Sequence, residues 1–286
     1  MADSPTNPVT GKSPSQPTQI KVIAHSMLFY WWPVWFFGLV FSLWTYVDNH
    51  RLAIVGPNSQ LVVTEVNNEK FYAITVDPTT RRVTEDAEKL EKVEPGKQVF
   101  VPKIRVSPRT WMAPLFFTIL FLVILITSIP LRGLWSLVAI ILIVVLALVF
   151  SLFDVWDGLL TALGDLHIFV NMAGYLAISV ALLIAWVLAV YFFDRRSYMI
   201  FTPGQVKVCE EIGGREKVYD TTNLSLEKHR DDWFRHIILG FGTGDLTVKT
   251  AGADRHEIVL PNVAFIAFKI TAIEQMMRTK QTTPEG

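Results

Sequence analysis

The residue types best suited to chemistry gather late in the chain, where Lys228, His229, Arg230, Asp231, Asp232, Arg235 and His236 fall in one short stretch. Two imidazoles and two carboxylates in the pattern His229-x-Asp231-Asp232-x-x-x-His236 are donor types that hold zinc. A metal needs three or four donors converging at about 2 Å. This stretch spans a strand end and a loop with no second ligand set, so solvated loop charges are expected there and no metal is assigned. Its cations suggest a different role. Lys228, His229, Arg230 and Arg235, with His236, are the kind of group that meets a lipid phosphate or an acidic partner. Asp231 and Asp232 interrupt that patch, and residues 194–286 carry thirteen Lys/Arg against thirteen Asp/Glu, so the field is weak. Trp233 and Phe234 beside the patch are expected in the core rather than as a membrane wedge.

Gly240-x-Gly242-x-Gly244 has the look of a phosphate loop, but no Lys-Ser/Thr follows and the next element reads as a strand, so a turn is expected. Cys209, the single cysteine, excludes an intramolecular disulfide and a cysteine-based zinc cluster. No Ser/His/Asp or Cys/His set is recognisable. The expectation is a protein that is not an enzyme, with no catalytic residue and no cofactor.

The elements that carry these residues are set by hydrophobicity. Of 286 residues 51% are hydrophobic and 18% charged, the mean hydropathy is +0.37, and 26 Lys+Arg balance 26 Asp+Glu. A neutral chain argues against a nucleic-acid binder held by overall charge. The apolar residues concentrate in four runs without charge, at 27–47, 111–131, 133–153 and 168–193. Each is long enough for a helix to cross roughly 30 Å of hydrocarbon at about 1.5 Å per residue. Pro130, Arg132 and Gly133 divide the second and third into a tight hairpin. The first run starts too late, and is too long and too aromatic, to be a cleaved signal peptide. Its Tyr30, Trp31, Trp32, Trp35, Trp44 and Tyr46 suit the two membrane interfaces.

No run contains Asp, Glu, Lys, Arg or His, the groups that ion-coupled transporters and intramembrane hydrolases generally need. Asn171 is the only strongly polar residue at depth and lies near a helix end. In the fourth run Ala173, Ala177, Ala181, Ala185 and Ala189 recur every fourth position, a spacing that lets helix backbones approach. That packing face would serve the bundle or a second copy of the chain.

Lys12, Lys21, Arg132, Arg195 and Arg196 against the acidic 154–167 connection place both termini in the cytoplasm by the positive-inside rule. The 48–110 connection resists, with ten Lys/Arg, among them Lys97, Lys103, Arg105 and Arg109 near the second run. It is long enough for the rule to weaken, and nine acids balance it.

Outside the runs, 1–26 reads as a disordered tail rich in Ser, Thr, Pro, Asn and Gln. Residues 48–110 read as a β-rich module with strands at 61–66, 71–76 and 99–106, turns at Asn67-Asn68 and Asp77-Pro78, and a charged helical insert at 85–94. In the 154–167 connection Trp156, Leu159, Leu160 and Leu163 make a short amphipathic helix, read as a simple link rather than a lid or docking helix. Residues 194–280 read as strands at 197–201, 205–211, 214–220, 223–229, 234–239, 245–250 and 256–260, with turns at Thr202-Pro203-Gly204 and Gly213-Gly214. A helix then opens at Pro261-Asn262, with Asn262 as its cap and Val263, Ile266, Ile270, Ile273 and Met277 along one face. Residues 281–286 are a tail.

Three stretches of this last region make a resemblance particular. They are Tyr198-Met199-Ile200-Phe201-Thr202-Pro203-Gly204-Gln205-Val206, then Leu239-Gly240-Phe241-Gly242-Thr243-Gly244 ahead of Leu246-Thr247-Val248, and the closing Leu260-Pro261-Asn262-Val263. Together they resemble the bacterial PH-like (pleckstrin-homology-like) domain family over residues 195–278. Members often attach this domain directly to transmembrane helices. The resemblance implies a fold and a location at the bacterial cytoplasmic (inner) membrane, and brings no established catalytic residues. The expected fold is an α+β membrane protein: four transmembrane helices, a small β-rich insert between helices 1 and 2, and a C-terminal PH-like β-barrel plus helix.

The function expected from this layout is to hold a cytoplasmic interaction module at the inner leaflet, for scaffolding, recruitment of a protein partner, or sensing of lipid or envelope state. The alternative is a subunit of a small oligomeric transporter or channel regulated by the PH-like domain. The expected partners are the lipid bilayer, a protein not identified by the sequence, and a second copy through the fourth helix, with no nucleic acid.

Overall fold

The computed structural model describes residues 19–53, 60–66, 69–75, 91–94, 97–99, 102–129, 131, 133–209, 216–221, 224–250 and 256–280, with only the backbone course for 60–99 and 278–280. In chain order the elements are β1 (Ile20–Ile23), a 3-10 turn at Met27–Trp31, α1 (Trp32–Asp48), β2 (Arg51–Leu52), β3 (Gln60–Val66), β4 (Glu69–Thr75), β5 (Glu91–Glu94), β6 (Lys97–Val99) and β7 (Ile104–Arg105). The helices α2 (Met112–Ser128), α3 (Leu134–Leu152), α4 (Val155–Asp165) and α5 (Met172–Leu188) follow. The chain then runs through β8 (Tyr198–Thr202), β9 (Gln205–Cys209), β10 (Glu216–Asp220), β11 (Ser225–His229), a π-helical segment at Phe234–Leu239, β12 (Gly244–Lys249), β13 (Glu257–Val263) and α6 (Ile266–Lys280).

Three helical stretches among the described residues, Met27–Asp48, Leu134–Leu152 and Met172–Arg196, are long and apolar enough to cross a membrane. The apolar α2 is shorter, at 17 residues. The fourth run begins as a helix at Met172 rather than 168 and ends through a π-helical turn at Ala189–Phe193. The chain forms two compact units: Met1–Pro33, Leu122–Leu148 and Leu183–Gly286 in the first, Val34–Phe121 and Val149–Leu182 in the second.

In the second unit α1, α2 and α5 meet through an aromatic cluster. Phe41, Phe116 and Tyr175 lie edge to face with centroids 5.3 to 6.4 Å apart, a geometry that suits the ring quadrupoles. One turn away Gly38 lets α1 approach α5, and a Cβ there would overlap the Ser179 hydroxyl. Asn171 Oδ1 accepts the Gly174 N–H at 2.6 Å, so the polar residue noted in the sequence is the N-cap of α5. Two of the cations that resist the charge rule are held near helix ends. Arg105 lies over Tyr46 and Arg109 over Trp44, and Arg109 also approaches Asp48 at 3.5 Å. The short β2 pairs with β7, β3 with β4, and β5 with β6, each antiparallel. The strand expected at 99–106 is thus two separate pieces. Residues 91–94 of the expected helical insert are the strand β5, while 85–90 and the turns at 67–68 and 77–78 lie outside the described residues. The amphipathic segment forms α4. Its Trp156, Leu160 and Leu163 line an apolar groove of about 580 Å³ with Trp111 and with Leu115 of α2.

In the first unit two antiparallel sheets, β1-β8-β9-β10 and β11-β12-β13, pack with α6. Alternate residues point inward, as the two-residue strand period requires. Val22, Met199, Phe201, Val206 and Val208 come from the first sheet, Leu246, Val248, Leu260 and Val263 from the second, and Ile266, Ile273 and Met276 from the helix. No barrel is closed among the described residues. Residues 20–23, expected in the tail, form β1, which pairs antiparallel with β8 from Ile20↔Phe201 to Ile23↔Tyr198. Thr202-Pro203-Gly204 turns β8 into β9 with Gly204 at φ 115°. Gly213-Gly214 lies outside the described residues.

Two further expectations are corrected. Residues 234–239 are not a strand. Their buried positions, Arg235, His236 and Leu239, recur at helical spacing with Asp232, and the Asp232 carboxylate accepts the Arg235 N–H at 3.0 Å. The last helix does not open at Asn262, because β13 runs to Val263 and α6 begins at Ile266. Asn262 sits at φ 55° with its side chain engaged elsewhere, so it caps nothing.

Candidate functional site

β11 ends at His229, and the chain then coils through the π-helical segment so that Asp232, Arg235 and His236 face inward, each at most 3% exposed. The turn that follows needs its glycines. A Cβ on Gly240 would overlap the Thr243 hydroxyl and come within 2.8 Å of both the Arg235 carbonyl and the Tyr30 ring, and Gly242 adopts φ 95°. The glycine-rich stretch is a turn, as expected, and it packs around a tyrosine.

Tyr30, fully buried at the start of the first apolar stretch, donates its hydroxyl proton to Asn262 Oδ1 at 3.0 Å. The same oxygen lies 3.0 Å from Thr243 Oγ1 and 3.3 Å from His236 Nδ1. Arg235 Nη2 approaches His236 Nε2 at 3.2 Å. The Arg235 guanidinium also donates to Asp245 Oδ2 at 3.1 Å, and Asp245 Oδ1 accepts the Asn262 N–H at 2.9 Å. Burial works to raise the Asp245 carboxyl, but His236, the Asn262 N–H and Arg235 outweigh it and hold the group below the usual carboxylate range.

The network extends to the start of α1 and to the end of the last apolar run. Asn262 Nδ2 donates to the His25 carbonyl at 2.8 Å. The His25 ring lies 3.1 Å from Asp194, whose other oxygen accepts the Ser26 N–H. Trp32 Nε1 donates to the Leu239 carbonyl at 2.9 Å, and Trp186 Nε1 to the Phe29 carbonyl at 3.0 Å. The entrance to α1, the exit from α5, the π-helical segment and the end of β13 thus share one hydrogen-bonded joint.

Beside the joint is a hollow of about 240 Å³, lined by His229, Asp231, Asp232, Arg235, Asp245 and Glu257 among others. It brings together only part of the expected cationic patch. His229 and Arg235 line it, with Arg235 committed to Asp245. Lys228 is exposed and falls on the other face of β11 by strand alternation. Arg230 lays its stem along Gly244, where a Cβ would come within 2.8 Å of Arg230 Cγ. The hollow holds more carboxylates than cations, so its chemistry favours hydrogen-bond donors over phosphate. Among the described residues no group of three or more His, Cys, Asp or Glu side chains is placed to hold a metal ion. Trp233, expected in the core, is 47% exposed.

The alanine ladder of α5 is split in its surroundings. Ala173, Ala177 and Ala181 are exposed, Ala185 is half-buried, and Ala189 is buried in the π-helical turn. Within the second unit Tyr175 and Ser179, not the alanines, face α1 and α2. Sequence reasoning missed the joint itself. It took Tyr30 for an interfacial aromatic and Asn262 for a cap, and gave no role to His25, Asp194 or Thr243. The one available signal was Asn262 itself, a polar residue between apolar neighbours. Comparison with protein-family models, with curated proteins and with solved structures finds no match for the chain.

Proposed function

We propose that this is a four-span protein of the bacterial inner membrane, not an enzyme, whose PH-like C-terminal domain is an interaction module fixed at the cytoplasmic face and binds a protein or lipid partner there. The observation that carries this reading is the joint at Tyr30. A domain tied by buried and part-buried hydrogen bonds to the entrance of α1 and the exit of α5 reports on the membrane helices in a way a loosely tethered domain would not.

Parity supports four crossings. β1 precedes the first apolar stretch and pairs with β8, which follows the last. Gly133, between α2 and α3, donates its N–H to the Asp231 carbonyl in the same unit at 3.2 Å. If Met27–Asp48 leaves the side where β1 and β8 pair, α2 must return to it, and α3 and α5 repeat the excursion. At about 1.5 Å per residue a 17-residue helix is at the short end of what spans a bilayer, and thinning or flanking anchors accommodate it. The PH-like reading is supported by one sheet of four strands, one of three, and a closing helix, with β1 supplying a strand from the other end of the chain.

The test is to compare proteins and lipids co-isolated with the wild type and with a variant carrying Lys228→Glu and His229→Glu on the domain surface. Loss of at least one partner, with membrane insertion unchanged, is the expected outcome. An identical protein and lipid complement would overturn the interaction-module reading.

A further inference from the structure

The π-helical segment and the turn after it are inside out for a surface in water. Their ionic residues Asp232, Arg235 and His236 are buried, while Trp233 is 47%, Ile237 43%, Ile238 53% and Phe241 68% exposed, with no charged side chain exposed between positions 233 and 241. Contiguous exposed apolar surface of this kind marks a contact face. Its position identifies the occupant. Phe241 packs at a tilt against Trp32 in the first turn of α1, with centroids 5.4 Å apart, and the Trp233 backbone N–H donates to the Ser136 hydroxyl in the first turn of α3. In that same turn of α3, Leu134 and Trp135 are exposed to more than 70%, so the patch continues onto a helix apolar enough to span. The end of β13 adds Phe265, because Val263 pairs with Gly244 at the same end of the sheet.

We infer that Trp233, Ile237, Ile238 and Phe241 dip into the lipid interface beside the span ends, so that this domain is seated in the bilayer surface as well as joined to the helices. The inverted segment explains why its charges are internally paired: lipid offers no partners to Arg235 or Asp232, and the domain supplies them. Trp233 at this level matches the aromatic belts of membrane interfaces, and the apolar Phe241 and isoleucines suit the lipid beneath. The inference rests on the membrane-spanning reading above, and its test separates the two.

On a Cys209→Ser background, nitroxide labels at Ile238→Cys and Phe241→Cys in the full chain, reconstituted in phosphatidylcholine–phosphatidylglycerol vesicles, would be read by collision with oxygen and with a water-soluble nickel chelate. Leu142→Cys, in the middle of α3, is the lipid reference, and Val218→Cys, exposed on β10, the water reference. Labels at 238 and 241 are expected to favour oxygen several-fold over the Val218 label and to approach the Leu142 label. Labels that read like Val218 would overturn the inference while leaving the spans intact. Labels shielded from both reagents would also overturn it, since a protein partner or second copy would then cover the patch. A nickel-accessible Leu142 label would instead sink the membrane reading itself. Any variant that elutes aggregated is replaced by Ile237→Cys, which faces the same way.

Discussion

Tyr30 concentrates three polar contacts on one oxygen in a place water does not reach. Replacing it with phenylalanine keeps the ring packed and removes only those contacts, leaving Asn262 and Thr243 underpaired. An unsatisfied buried polar group costs about 1–3 kcal/mol, so Tyr30→Phe should lower the thermal midpoint measured in detergent, and an unchanged midpoint would show that the joint carries no stability. Asp245 makes a second prediction, about pH. Its folded-state pKa lies below the unfolded value of about 3.9, so its stabilising contribution is complete above that value and is lost as pH falls through the lowered one. The wild type should therefore lose stability on acidification below about pH 4, and Asp245→Asn should show a smaller acid-dependent loss from a lower starting point. Equal pH slopes for the two proteins would remove Asp245 from the account.

At the scale of elements, Gly38 brings α1 close against Ser179 of α5 in the second unit. Gly38→Ala should cost about 1–3 kcal/mol by overpacking, and adding Ser179→Ala should recover most of it. A double variant no better than the single one would mean that the nearby Phe116 ring, not the serine, limits the approach. Gly38 also illustrates what a sequence withholds. The apolar runs were legible because a helix that crosses lipid must be long and uncharged, whatever it packs against. The strands β8, β9, β11 and β12 were legible from alternation and turn residues, as were the amphipathic faces of α4 and α6. The segment Phe234–Leu239 was not, because Phe, Ile and Leu suit a strand as well as a coil, and its true period shows only once Arg235 and His236 are known to be buried. The two partners that justify burying them, Asp245 and Tyr30, act at different ranges. Asp245 is near in the chain, but Tyr30 lies at its far end, and no local pattern announces that meeting. Asn262 was misread for the same reason, since a polar residue before a helix looks like a cap until Tyr30 and His25 claim its side chain.

For the whole molecule, parity is the property most open to direct measurement. With Cys209 replaced by serine, single cysteines at Leu131 and Asp157 should report opposite sides of the membrane to an impermeant maleimide, and native Cys209 should agree with Leu131. If Leu131 and Asp157 label together, α2 and α3 do not cross separately. In intact bacteria Cys209 should label only after permeabilisation, with denatured protein as the control for its half-buried thiol. Labelling without permeabilisation would invert the orientation. The pairing of β1 with β8 has a further consequence, in time rather than space. β1 is made before every apolar helix, and its partner strand follows only after all of them. Until then an apolar edge strand, with Val22 destined for full burial, waits unpaired during biosynthesis. The C-terminal domain therefore closes the chain on itself: until the last apolar helix and β8 have been made, β1 has no partner strand in the first sheet.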